Sequence, residues 1–240
     1  MAILVVGQSH ITAIQKAAKT HRETWPEEPR TRVIHTLAEP YRSEGREFGP
    51  LARAAIEDQI ARHQPRLVSM LGGNAHNMIA LMRHPRPYDF ILHGEAQRGP
   101  PIEEGHELIP EALVRAALEE RLQPDFRRLE QLYKIAGPFL HVESPSPLRS
   151  EAFIRDRAEA YFRDYHDNEI VPASAGTRWR IWRLNSRILR EKVESLGCRF
   201  LPVPAEALDD DGFLRLDLAA DPTHGNEAYG EMLIRAIEAA

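Results

Sequence analysis

Apolar and polar positions along the chain switch between two periods. Ile3-Leu4-Val5-Val6 is a continuous apolar run of strand length ended by Gly7, and from Ile11 the residues Ile11, Ile14, Ala17 and Ala18 recur at helical spacing. A polar stretch with Pro26 and Pro29 follows, then a short strand predicted over 32–37 and a loop over 38–50. Ala52, Ile56 and Ile60 form one helical stripe within 51–63, and Gln64-Pro65 ends it. The run 67–71 reads as a buried strand, and Met78, Ile79 and Met82 predict a helix up to the His84-Pro85 break. Strand, helix, strand, helix, strand is the order of a parallel sheet with crossover helices.

That rhythm breaks at 88–110. A strand is predicted over 88–93, and 95–105 is polar and rich in Gly and Pro, so the segment reads as an excursion or hairpin beside the sheet, either a solvated loop or a substrate wall. The helical pattern resumes at 111, is interrupted at Gln123-Pro124 and runs to about 135, before a fourth core strand over 139–143 closed by Ser144-Pro145-Ser146-Pro147. Helices are predicted over 150–165 and 178–196. In the second, Ile181, Leu184, Ile188 and Leu189 are the buried stripe, with Trp179 and Trp182 as packing residues. A fifth strand over 199–203, an acidic connection over 205–220 and a closing helix over 226–239 complete an α/β chain. The expectation is one domain, 1–240, with the inserted excursion.

Composition narrows the function. The 240 residues are 42% hydrophobic and 28% charged with net charge −5, which fits an ordinary globular protein and disfavours a basic nucleic-acid binder. Cys198 is the only cysteine, which excludes an intramolecular disulfide and a cysteine-based zinc site. The N-terminal apolar run lacks a basic flank and no stretch reaches membrane-spanning length, so a cytoplasmic protein with no membrane span is expected.

Three segments carry candidate chemistry. Ser9 lies at the strand-to-helix turn of the first unit, where open parallel sheets bind ligands at the carboxyl ends of their strands; it is there as a nucleophile or as a helix N-cap. In Asp221-Pro222-Thr223-His224 a carboxylate stands three residues from a histidine on a proline-stiffened turn. It can accept the imidazole Nδ1–H and leave Nε2 outward as a base, or it can cap a turn beside a surface histidine. Gly72-Gly73-Asn74 leaves a strand with two residues lacking Cβ and an amide that can donate to an oxyanion, or forms a turn and helix cap.

In order and spacing these segments resemble the blocks of the SGNH (GDSL-like) hydrolase superfamily. The resemblance spans nearly the whole chain and is strongest from His63-Gln64-Pro65-Arg66 to Leu71-Gly72-Gly73-Asn74. It implies a three-layer α/β/α flavodoxin-like fold with a central parallel sheet of about five strands. It also implies Ser9 as nucleophile, His224 as general base and Asp221 as its orienting partner, with Asn74 and the Ser9 backbone N–H as oxyanion donors. Two departures stand out. Gln8 replaces the usual Asp and is followed by His10. The second-block glycine is Gly45 or Gly49, with Gly45 preferred by counting back from Gln64-Pro65-Arg66.

His10, Gly73 and His76 are the candidates to line the substrate pocket. No metal and no cofactor is expected, because His10, His76 and His224 lack a ligand spacing. The expected activity is serine-dependent hydrolysis of a carboxylic ester of a small molecule or carbohydrate. The alternatives are an O-acyltransferase with the same triad, and a binding protein on the same fold that does not turn over. Ser9, Asn74, Asp221 and His224 occurring together argue against the last. A nucleotide site is disfavoured because Gly7-Gln8-Ser9-His10 lacks the further glycines of a dinucleotide loop.

Overall fold

The computed structural model describes residues 2–24, 30–43, 45, 47–94, 99–158 and 170–240. Five parallel strands form the central sheet: β1 (Ile3–Gly7), β2 (Thr31–His35), β3 (Arg66–Met70), β6 (Leu140–Val142) and β7 (Arg199–Leu201), in the order β2-β1-β3-β6-β7. All five residues of β1 are buried, as a continuous Ile-Leu-Val-Val run in the middle of a covered sheet requires.

Alternate strand residues feed two cores. Ile3, Val5, Val68 and Val142 pack with helices α1 (Thr12–Thr24) and α7 (Glu227–Ala239) through Ile14, Leu233 and Ile237. Leu4, Val6, Leu67 and Leu71 pack on the opposite face with α2 (Pro50–His63), α4 (Glu111–Ala136) and α6 (Ala175–Ser195), through Ile56, Leu122, Leu129, Leu184 and Leu189. These are the three layers that the resemblance implies, and the period-2 alternation within short strands produces them.

Helix α3 (Ala75–Ala80) follows β3, and α5 (Glu151–Arg157) follows β6. Helix α5 begins at the expected place, capped by Ser150 Oγ accepting from the Phe153 amide at 3.2 Å; the predicted continuation toward 165 lies outside the described residues. Helix α6 starts three residues before its predicted beginning, because Ser174 Oγ accepts from the Thr177 amide at 3.0 Å and closes the first turn. In the same way Asn226 caps α7 through Tyr229 N at 3.2 Å.

Two expectations are corrected. Pro124 does not interrupt the helical pattern: α4 is continuous over 26 residues with Pro124 inside it. Its missing N–H costs one helical bond. The buried stripe Leu118, Leu122, Leu129 and Leu132 continues through that position and holds both halves against the core. The excursion is not a hairpin either, because β4 (Tyr88–Asp89) and β5 (Glu107–Leu108) pair in parallel. Its anchor is Asp89, wholly buried. The Asp89 carboxylate accepts from Arg180 Nε at 2.6 Å, from the Arg180 Nη2 and from Thr177 Oγ1 at 3.0 Å, while Arg180 Nη1 donates to the Pro100 carbonyl at 2.6 Å. A buried, bidentate pair of this kind fixes the excursion to the first half of α6.

Candidate active site

The strand order creates the site. From β1 the chain passes to β2 on one side and then to β3 on the other, so the loops after β1 and β3 part at a topological switch point. Gly7 and Met70 are register partners, which brings Gln8-Ser9-His10 beside Gly72-Gly73-Asn74. A Cβ on Gly7 would lie 2.4 Å from Ile11 Cγ2 and 2.7 Å from the Met70 carbonyl, so only glycine allows the chain to turn there.

Ser9 opens a short 3₁₀ turn (Ser9–Ile11) that leads into α1, and its carbonyl accepts from Thr12 Oγ1 at 2.7 Å. Its side chain is partly exposed. Among the described residues its hydroxyl forms no capping bond and no bond to His224. Being first in the turn, its N–H has no acceptor within that turn.

The Asp221-to-His224 turn is tightly made. Asp221 Oδ1 accepts the amides of Thr223 at 2.8 Å and of His224 at 2.9 Å, and the two carboxylate oxygens stand 3.0 and 2.9 Å from His224 Nδ1. The carboxylate therefore caps the turn and orients the ring at once. Burial pushes the Asp221 carboxyl up, but the His224 ring, the two amides and the charge available on His224 outweigh it and bring Asp221 down to about 2. With Nδ1 facing Asp221, Nε2 is the nitrogen left for chemistry; it is buried and has no hydrogen-bond partner among the described residues.

Behind this base stands a group of neutral histidines. The His10 ring lies 5.0 Å from that of His224, tilted by 46°. His10 is 4% and His76 3% exposed. Burial pushes His10 down to about 3, helped by the neighbouring His224 and His76, and burial alone takes His76 to about 3. His35, at the end of β2 and missed by sequence reasoning, is also lowered, by burial and by its proximity to His224. Gly73 belongs to the same packing. A Cβ there would sit 2.6 Å from His10 Cδ2 and 3.2 Å from Ser144 Cβ. The room beside Gly73 is thus filled by His10 and Ser144, and His10 and His76 stand behind the surface. Among the described residues no group of three or more His, Cys, Asp or Glu is arranged to hold a metal ion.

Asn74 precedes α3 and makes no capping bond to that helix; its Oδ1 accepts from Asn77 Nδ2 at 3.0 Å, which fixes the amide with its own NH₂ on the other side. Gly45 is exposed. Its N–H donates to Ser43 Oγ at 3.2 Å and its carbonyl accepts from Arg128 Nη2 at 2.9 Å. Gly49 is the residue preceding α2. The Gly45 amide is thus already used locally, unlike that of Ser9.

A groove of about 780 Å³, open to solvent, runs from this loop cluster between α3 and α4. Gln8, Asn74, Ala75 and Met78 line one side, and Ala117, Glu120, Arg121, Gln123, Pro124 and Asp125 the other. Helix α4, 26 residues and about 39 Å long at 1.5 Å per residue, supplies its longer wall. The predicted Pro124 break concealed this wall. No helix among the described residues is long and apolar enough to cross a membrane.

No protein-family model and no curated protein matches the sequence. Solved structures do. The periplasmic domain of a lipopolysaccharide acetyltransferase from Salmonella ser. Paratyphi A superposes with a TM-score of 0.50 at 10% identity, covering 99% of this chain and 82% of that one. A GDSL-like lipase from Bacteroides thetaiotaomicron gives 0.43 at 12% identity over 99% and 88%. A variant of a Geobacillus acetyl-xylooligosaccharide esterase gives 0.42 at 12% identity over 98% and 91%. With its five-stranded parallel sheet between two helical layers, the chain shares the three-layer α/β/α fold of that acetyltransferase domain.

Proposed function

We propose that the protein is a serine-dependent enzyme acting on carboxylic esters, with Ser9 as nucleophile, His224 as general base and Asp221 as the group that orients it. The observation that carries this reading is the Asp221–His224 contact of 2.9 Å, with Nε2 left unpartnered at the edge of the sheet that also carries Ser9. His224 Nε2 takes the Ser9 hydroxyl proton as Oγ attacks the ester carbonyl; the carboxylate of Asp221 stabilises the imidazolium that forms. The Ser9 N–H and Asn74 Nδ2 receive the developing oxyanion. His224 then returns the proton to the leaving alcohol. The Ser9–His224 bond forms as substrate enters, in keeping with the looser geometry of unliganded catalytic sites.

The groove supports a polar alcohol portion. Glu120, Arg121 and Gln123 offer acceptors and donors to hydroxyl groups, and Met78 and Pro124 offer apolar contact. The filled space beside Gly73 favours a short acyl group on the other side of the scissile bond. Water completes the cycle in a hydrolase, and a second hydroxyl replaces it in a transferase. The open groove and the likeness in fold to an acetyltransferase domain support keeping both. The test is turnover of an aryl acetate by the wild type and by Ser9→Ala. A loss on the order of 10⁴-fold in a folded variant is expected, and near-wild-type turnover would end the nucleophile assignment.

A further inference from the structure

Gln8 stands where the resemblance leads one to expect an Asp, and its surroundings explain the exchange. Its carboxamide reaches in two directions. Nε2–H donates to Asp125 Oδ1 at 2.7 Å, and Oε1 accepts the Gly72 N–H at 3.3 Å; its own backbone N–H donates to the Met70 carbonyl at 3.3 Å. Asp125 is held in turn by Arg128 Nη1 at 3.2 Å, and both side chains are 12% exposed. Arg128 Nη2 continues to the Gly45 carbonyl. One chain of bonds thus joins the loop after β1, the loop after β3 and the loop before α2 through helix α4.

A carboxylate at position 8 could not make both side-chain bonds, since it would face Asp125 oxygen to oxygen and would have no proton to donate. An amide supplies one donor and one acceptor, matching one carboxylate and one backbone N–H. We propose that Gln8 and Asp125 form a positioning pair that fixes the spacing between the Ser9 amide and Asn74, the two oxyanion donors carried on separate loops. Both residues also line the groove, but the pair acts through the donors. This rests on the reading of Ser9 as the nucleophile.

Burial raises the Asp125 carboxyl, opposed by Arg128 and by the Gln8 bond. The pair therefore occupies a site where an unmatched charge is costly, which makes a charge exchange informative. In Gln8→Glu two carboxylates face each other. In Asp125→Asn the bond survives with an amide as acceptor. In the double variant the polarity is reversed: the amide introduced at position 125 donates to the carboxylate introduced at position 8, which still accepts the Gly72 N–H.

The experiment measures kcat and KM for an aryl acetate, and the rate of Ser9 modification by a fluorophosphonate, in the two single variants and the double. Gln8→Glu is expected to lose about 10²-fold in kcat, the effect of one misplaced oxyanion donor, with KM changed less than threefold. Asp125→Asn should lose less than tenfold, and the double variant should recover to within tenfold of the wild type. The modification rates should follow the same order. If Gln8→Glu does not fold, Gln8→Ala takes its place, and the double variant should be the faster of the two. A Gln8→Glu protein keeping more than a tenth of kcat, or a double variant no faster than the single one, would overturn the pair. Absence of fluorophosphonate at Ser9 in the wild type would instead overturn the nucleophile assignment on which the pair rests.

Discussion

Two aspartates flank the Ser9 loop, and their environments drive them in opposite directions. Asp221 accepts two backbone amides and faces the His224 ring, so its carboxylate is held at about 2 in spite of partial burial. Asp125 accepts from one guanidinium and one side-chain amide in a more enclosed place, and there burial prevails and its carboxyl is raised. The difference lies in the depth of burial and in the number of donors each receives, not in residue type. In the proposed reaction Asp221 remains charged while a proton passes through the neighbouring ring. Asp125 is built to hold loops, and a charge there is tolerated only while Arg128 and Gln8 answer it. Their linkage to stability has opposite sign. The stability from Asp221 is present above its ordinary value of 3.8 and is lost as pH falls through about 2, whereas the raised Asp125 favours the folded state in its protonated form and loses that advantage as pH rises through its folded pKa.

Asp221→Asn separates the two aspartates most strongly. The amide either holds His224 in the wrong tautomer or leaves the imidazolium without its counter-charge, so kcat should fall on the order of 10²–10⁴-fold, far more than for the same change at Asp125. The backbone bonds to Thr223 and His224 can be kept by the remaining oxygen, so folding should survive. A loss under threefold in ester turnover would reduce Asp221 to a turn cap.

The histidines sharpen the contrast from the other side. His10, His76 and His141 are each held at about 3 by burial, with His224 and His76 adding to the effect at His10, against an ordinary value of 6.5. The unfolded chain binds protons at these sites below pH 6.5 and the native protein does not until about pH 3. Stability must therefore fall as the medium is acidified across that window. Each site contributes up to about 1.4 kcal/mol per pH unit, and the three together about 4. Urea denaturation between about pH 7 and about pH 4.5 reads this directly; a midpoint that does not move would mean that these rings accept protons in the native state.

Arg121 gives the smallest effect. It lines the groove between α3 and α4, at a distance from both aspartate pairs in function. Arg121→Ala should lower the ratio of kcat/KM for a saccharide acetate to that for an aryl acetate by about threefold to tenfold, the scale of one lost polar contact. An unchanged ratio would remove the groove from substrate recognition.

How far the sequence announced all this depends on the range of each signal. The Asp-x-x-His turn is local, and its spacing of three residues already allows the carboxylate to meet Nδ1. Strand β1 was legible because a fully apolar run has few other uses, and Ser9 follows from where that run ends. Asp125 was not legible, since its partner Gln8 is 117 residues away and Pro124 beside it reads as an interruption of the helix. The parallel pairing of β4 with β5 was hidden because strands of two residues carry no period. Gly73 was read as room for a substrate, whereas the packing gives that room to His10, a contact that no spacing rule encodes. His35 lies opposite Gly7 in the β1–β2 register, and only that pairing brings it toward His224.

We propose above all that Ser9 is the nucleophile activated by His224. This is tested most directly by treating the intact protein with a fluorophosphonate and locating the adduct by mass spectrometry, in the wild type and in His224→Ala. A single phosphonylated residue, Ser9, is expected in the wild type, with modification slowed by at least about 10³-fold once the base is removed. Modification at another serine, or equal labelling of Ser9 without His224, would contradict this assignment.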